Sequence, residues 1–268
     1  MNFVLWVLLL LLSLVSAAVY QLAPVAPNND LRVVVQHTGL SCSLIGIFNI
    51  LILRRQVAIG ASISAVSDET MLEKCTEFLQ LRLNDILERD VEGKAEIAQE
   101  ILQTIDALPS FTNGVMADPD FRGPAEFSDK DHMPTYFSAF DIPVYHLLVP
   151  NTEDPYQAEI LQLGDSYEEM QRSWTSEFET LNDRNRMIAA PFLDSLTHCH
   201  ATRHGMALLQ ASMTSGRYSL LFLRDHYMVI YAYEDMNRKD RIIFLDTYRV
   251  TGAELKWTPL SQAINPVF

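Results

Sequence analysis

Cysteine is scarce in this chain: Cys42, Cys75 and Cys199 are the only three in 268 residues. An odd, sparse set builds no disulfide framework, so reduced thiols are the default. No CxxC and no HExxH element occurs, which removes the ordinary zinc signatures. Positive charge is short as well, with 20 Lys and Arg against 34 Asp and Glu and a net charge of −14. A body this acidic is repelled by nucleic acid phosphates and by anionic membranes, and it suits a basic or neutral protein partner. There is no Asn-X-Ser/Thr sequon, no internal repeat and no low-complexity tract. No paired-carboxylate or Ser-His spacing supports glycosidic or lipid chemistry.

What is present begins with ample core. Hydrophobic residues make up 49% of the chain and charged ones 20%, which fits one globular α/β unit or two lobes. The first residues, MNFVLWVLLLLLSLVSAAVY, carry an apolar core followed by Ser16, Ala17 and Ala18. This reads as a signal-like leader, although no Lys or Arg precedes the core. It is short against the ~20 apolar residues of a membrane span, and the missing sequon argues against secretion. Residues 1–19 are therefore set apart from a domain at 20–268, with secretory and anchored fates both open; a membrane is a partner only if the leader is retained.

The stretch at 36–54, QHTGLSCSLIGIFNILILR, organises the rest. Its apolar run leaves no polar face, the mark of a buried helix. Gly39 can supply a turn and Ser41 a cap, which puts Cys42 in the first helical turn. Unpaired N–H groups and the helix dipole there favour a thiolate. Six residues earlier, Gln36 ends an apolar strand and can offer an amide to an acyl-transfer oxyanion. The same residues also suit a small core cysteine.

Along the chain, 24–30 reads as a Pro/Asn linker before a strand at 31–36. Helices are expected at 67–88, 96–108 and 135–140, a strand at 143–149, and helix in two pieces at 191–212. The region 151–186 is acidic, partly helical and exposed. Three aromatic-rich runs at 217–223, 226–233 and 241–246, joined by short polar turns, form an antiparallel meander.

His226 opens the middle strand of that meander, and Asp246 ends the next, where it can orient an imidazole. A thiol-bearing helix packed on an imidazole-bearing sheet is the arrangement of papain-like cysteine enzymes. A solvated strand-edge histidine is the plain alternative. His198, Cys199, His200 and His204 cluster, and His200 and His204 have an i, i+4 spacing that can bind zinc, although no further metal element supports it. His37 adjoins Gln36 and can touch a substrate.

These segments together resemble the MINDY family of deubiquitinases, cysteine proteases acting on polyubiquitin. QHTGLSCSLIGIFNILIL keeps the family's Gln-to-Cys spacing and the Asn inside the helix, here Asn49. FSAFDIPVYHLLVP, PFLDSLTHCHATRHGMALL and GRYSLLFLRDHYMVIYAYEDMNRKDRIIFLDTY are similar to its later segments, in order, and Tyr20-Gln21-Leu22 is similar to its opening. The resemblance implies an α/β (α+β) papain-like fold with Cys42 as nucleophile, His226 as base and Gln36 as oxyanion donor. It implies no cofactor or metal, ubiquitin and polyubiquitin as partners, chains of the proteasome-targeting linkage as substrate, and a cytoplasmic location. The chain departs from the family with Gly39-Leu40-Ser41 in place of Asn-Gly-Pro, and Tyr227-Met228-Val229 in place of Phe-Ser-Thr. Two further readings stay open: a catalytically weak ubiquitin-binding protein with the same fold, and a secreted papain-like protease.

Overall fold

The computed structural model describes residues 18–36, 41–90, 92–128, 132–176, 201–234, 241–247 and 254–264, with residues 183, 186, 187 and 190 between them. Strands β1 (Val19–Val25) and β2 (Asn28–Val34) form an antiparallel hairpin, with Leu22 facing Val34 and Ala23 facing Val33. Residues 24–30 are thus not a linker: they end β1, make the turn and open β2. Tyr20 and Leu22 point inward between exposed Val19 and Gln21, the period-2 signature of a half-buried strand. Strand β3 (Ala65–Ser67) pairs on the other side of β1, so β1 is the central strand of the sheet β2-β1-β3.

Helix α1 (Cys42–Leu53) is buried along its whole length. A helix with no polar face must be enclosed on all sides, and α1 shares one core with β1 and β2, with α2 (Asp68–Glu88), and with residues of β5 (Tyr218–Leu223) and β6 (His226–Ala232). Two features set its position. The Asn49 amide accepts from the Val34 N–H at 2.7 Å and donates to the Val34 carbonyl at 3.0 Å, fastening α1 to the end of β2. At Gly46 a Cβ would meet Leu220 Cδ2 at 2.8 Å, so the missing side chain lets α1 lie close on β5.

Helix α2 starts where expected because Ser67 caps it, accepting from the Thr70 N–H at 3.2 Å, with Asp68 and Glu69 in the first turn. Its buried residues Met71, Cys75 and Leu79 recur every fourth position and face α1. Helix α3 (Lys94–Ala107) ends in a 3-10 turn, Leu108–Asn113, with Pro109 at its start. After α4 (Met133–Ala139), β4 (Val144–Tyr145), α5 (Pro155–Ala158), α6 (Tyr167–Ser176) and α7 (Arg203–Ser212) come the meander strands and β7 (Ile242–Leu245), β8 (Trp257–Pro259) and α8 (Leu260–Ala263).

The second sheet has the order β4-β5-β6-β7-β8, parallel between β4 and β5 and antiparallel elsewhere. Alternation along β6 sends Tyr227 and Val229 to the α1 face, and Ile230 and Ala232 to a second core closed by α7 and α8. The fold is α+β, with a buried helix packed on a largely antiparallel sheet. Among the described residues no helix is long and apolar enough to cross a membrane.

Candidate active site

The N-terminus of α1 meets the turn between β5 and β6. That turn has two residues, Arg224 and Asp225, both with positive φ (52° and 60°), and the Leu223–His226 pair closes it. This is the twist a two-residue hairpin requires. Cys42 is the first helical residue, and its Sγ lies 3.8 Å from the Asp225 carbonyl oxygen, which accepts the S–H. The sulfur therefore touches the residue immediately before His226.

On the other side of the same turn, a cleft of about 620 Å³ is lined by Gln36, Arg224, His226, Tyr227 and Asp246, among others. Gln36 is buried beyond the end of β2, where its N–H donates to the Thr247 carbonyl at 2.9 Å and ties the first sheet to the second. Val229 pairs with Leu245; continuing that register by one residue sets Asp246 opposite Met228, on the face that carries His226. The structure brings Gln36, His226 and Asp246 to one cleft, and Cys42 reaches the same turn from the α1 face.

Two expectations are corrected. Ser41 holds the N-cap position, but its hydroxyl makes no capping bond. It donates to the Thr112 carbonyl at 3.0 Å and accepts from the Tyr20 hydroxyl at 2.9 Å. The Cys42 thiol is also not shifted towards thiolate. Burial pushes its pKa up, the Asp225 charge adds to that, and the N–H groups of Tyr227, Ser43 and Cys42 itself act the other way without prevailing. The helix terminus works in the expected direction, and desolvation outweighs it.

Sequence reasoning missed Tyr20, Tyr227 and the carbonyl of Asp225 as neighbours of the nucleophile helix. Tyr227 packs against Phe137 and Phe222, with ring centroids at 5.1 and 5.2 Å, and its hydroxyl donates to the Val115 carbonyl at 3.1 Å. Its place directly after the histidine was a usable signal, since in a strand the next residue faces the opposite side. His37, Gly39, Leu40, His198, Cys199, His200 and residues 1–17 lie outside the described residues. Among the described residues no group of three or more His, Cys, Asp or Glu side chains is placed to hold a metal.

A thiol at a helix start, an imidazole and a carboxamide at one turn can carry out acyl transfer through sulfur. Residues 19–254 match the family described as MINDY deubiquitinase. The chain belongs to the MINDY deubiquitinase family. It is 27% identical over 204 residues to ubiquitin carboxyl-terminal hydrolase MINDY-1 of Danio rerio, covering 73% of this chain and 37% of that protein. It is 24% identical over 219 residues to ubiquitin carboxyl-terminal hydrolase MIY1 of Saccharomyces cerevisiae, covering 76% of this chain and 58% of that protein. The chain thus spans roughly a third to three-fifths of the length of these MINDY relatives. Against the family motif, Tyr227 adds a hydroxyl after the histidine, and the Val115 carbonyl takes it up.

Proposed function

We propose that this chain is a cysteine deubiquitinase that hydrolyses isopeptide bonds in polyubiquitin, of the proteasome-targeting linkage. The observation that carries the reading is the meeting of Cys42, at the start of a buried helix, with the turn that leads into His226, beside a cleft shared by Gln36 and Asp246. As Cys42 Sγ bonds to the substrate carbonyl carbon, its proton passes to His226. The negative charge moves to the carbonyl oxygen, where the Gln36 amide and the Cys42 N–H receive it. Collapse breaks the C–N bond, and the proton on His226 leaves with the lysine amine. His226 then takes a proton from water, whose oxygen attacks the thioester; the thiol is restored and a carboxylate departs. Asp246 holds the far side of the imidazole. Polyubiquitin is a cytosolic and nuclear substrate, so the same reading puts the working domain on the cytoplasmic side.

A second reading, a ubiquitin-binding protein of weak activity, draws on the buried thiol bonded to a carbonyl. Ubiquitin bearing a C-terminal electrophile separates the two. The enzyme forms a covalent adduct at Cys42 and cleaves chains; a silent binder retains ubiquitin without an adduct. Linkage is read from a panel of chains of every linkage type, and equal cleavage of all of them removes the linkage clause.

A further inference from the structure

The end of α1 opposite Cys42 gathers positive charge in a chain that is short of it. Arg54 caps the helix there, roughly 18 Å along the axis from the nucleophile. It donates to the Asp141 carbonyl at 3.1 Å and to the Tyr218 carbonyl at 3.0 Å. Arg217 donates to the same Asp141 carbonyl at 3.0 Å and pairs with the Asp141 carboxylate. Both guanidiniums therefore serve the fold, because they fasten the positive-φ turn at Asp141 to α1 and β5. Arg82, on α2, does not. It lines a cavity of about 330 Å³ together with Arg217 and Asp141, and among the described residues it makes no hydrogen bond and no ion pair. Burial lowers the Arg54 pKa, Asp141 opposes that, and the charges of Arg217 and Arg82 add to the lowering. Three cations thus share one anion, although the chain carries a net charge of −14. Helix propensity is met as well by glutamine or glutamate, so the fold leaves the third charge unexplained.

The cavity itself defines the complement. Phe127, Met133, Phe137 and Val144 line it beside the guanidiniums, so a ligand that fills it carries an anion and an apolar group side by side. The mouth is wet, with the Arg217 side chain 35% and the Asp141 side chain 59% exposed. A small acid would stay half in water there, whereas a segment of a larger partner covers the open side. Next to Arg217, Tyr218 packs against Tyr231 and Trp257, with ring centroids at 4.9 and 6.1 Å, and all three are half-buried. Arginine, tyrosine and tryptophan are the residues that concentrate at the centres of protein interfaces. A polyanion such as nucleic acid is repelled by the whole chain, and a single carboxylate far less. We infer that this cavity is a docking site for a segment of a partner protein in which an acidic side chain stands next to a large apolar one. The carboxylate sits between Arg82 and Arg217, whose planar forks suit it, and the apolar side chain rests on Phe127 and Phe137. The length of α1 separates this site from Cys42, so docking and cleavage are distinct events.

The experiment is a selection from a library of random heptapeptides, run on the full chain as wild type and as Arg82→Gln. Wild type enriches peptides with Asp or Glu beside Phe, Leu or Met, and Arg82→Gln loses the acidic preference. One selected peptide is then remade with Gln for its acid. Wild type binds the remade peptide roughly fivefold more weakly, the upper range for a partly exposed ion pair, while Arg82→Gln binds both forms alike. Arg82→Lys keeps the charge without the planar fork and recovers part of the affinity. The melting temperature and covalent capture by electrophilic ubiquitin are the same in all three proteins. A library with no acidic preference, or a preference that survives in Arg82→Gln, overturns the inference. So does full displacement of the peptide by inorganic phosphate at matched ionic strength, which marks a plain anion site. Loss of ubiquitin capture in Arg82→Gln would place the cavity on the substrate's path and overturn its independence from cleavage.

Discussion

The molecule has a thiol and an imidazole at the α1–hairpin junction, and another of each sealed in its interior. Cys42 and Cys75 are both buried, at 4% and 0% exposure, and burial raises the pKa of both. The difference is in what opposes burial. The backbone N–H groups of Tyr227, Ser43 and Cys42 itself favour the Cys42 thiolate and a turn carbonyl accepts its proton, whereas burial alone acts on Cys75, midway along α2, among the described residues. The imidazoles divide in the same way. His146 is fully buried: Leu148 donates its N–H to Nδ1 at 3.1 Å, and Nε2 donates to the Glu126 carbonyl at 2.9 Å, which fixes one neutral tautomer. His226 lines an open cleft. Chemistry needs a group that is dry enough to be tuned and near enough to a cleft to be reached; of these four residues, His226 lines such a cleft and Cys42 touches the turn that leads into it.

The sharpest way to break this comparison is covalent capture. Cys42→Ala abolishes the adduct with electrophilic ubiquitin, and Cys75→Ala leaves it intact; an adduct surviving in Cys42→Ala ends the assignment. Next in size, His226→Ala lowers turnover by about 10²–10⁴, the range for a lost general acid-base, while His146→Gln leaves kcat of the folded fraction unchanged. Equal losses in kcat would show that the two imidazoles are not different in kind. Gln36→Ala lowers kcat by about 10²–10³ with KM nearly constant, the behaviour of a donor that acts on the transition state. A change confined to KM makes Gln36 a binding residue.

The remaining effects concern stability. Burial holds the His146 pKa down to about 4, below its unfolded value of about 6.5. Protonation therefore favours the unfolded chain. The stability from a neutral His146 is complete above about pH 6.5 and is lost as pH falls towards 4, a change of order 3 kcal/mol. His146→Gln should be less stable than wild type at pH 7 and lose less on acidification, as read by urea denaturation from pH 7 to 4. Parallel curves for the two proteins contradict a buried neutral imidazole. Smallest is Cys75→Ala, which removes one buried sulfur and costs about 1 kcal/mol of unfolding free energy with kcat unaltered.

Much of this arrangement was legible in the sequence because the signals were local. The all-apolar run after Cys42, the Ser67 cap with its acidic first turn, and the Arg224-Asp225 turn each specify their own structure. Strand β1 was missed because its alternation, VYQLAPV, abuts an apolar leader and contains a proline. The resting thiol was misread for a different reason. Helix position can be counted along a chain, but the cost of enclosure depends on everything packed around the sulfur, including a turn 183 residues away. Ser41 was likewise claimed by Tyr20 and Thr112, partners that no local pattern announces.

Strand β1 starts at Val19, directly after the apolar leader, and it is the middle strand of its sheet. The Ala18 carbonyl already accepts from the Asp68 N–H, and the Gln21 carbonyl accepts from the Val35 N–H, one residue before Gln36. A force applied at Val19 therefore enters this sheet at its middle strand and passes through the Gln21–Val35 bond to the neighbour of Gln36, so that the start of the described chain and the cleft behave as one mechanical body.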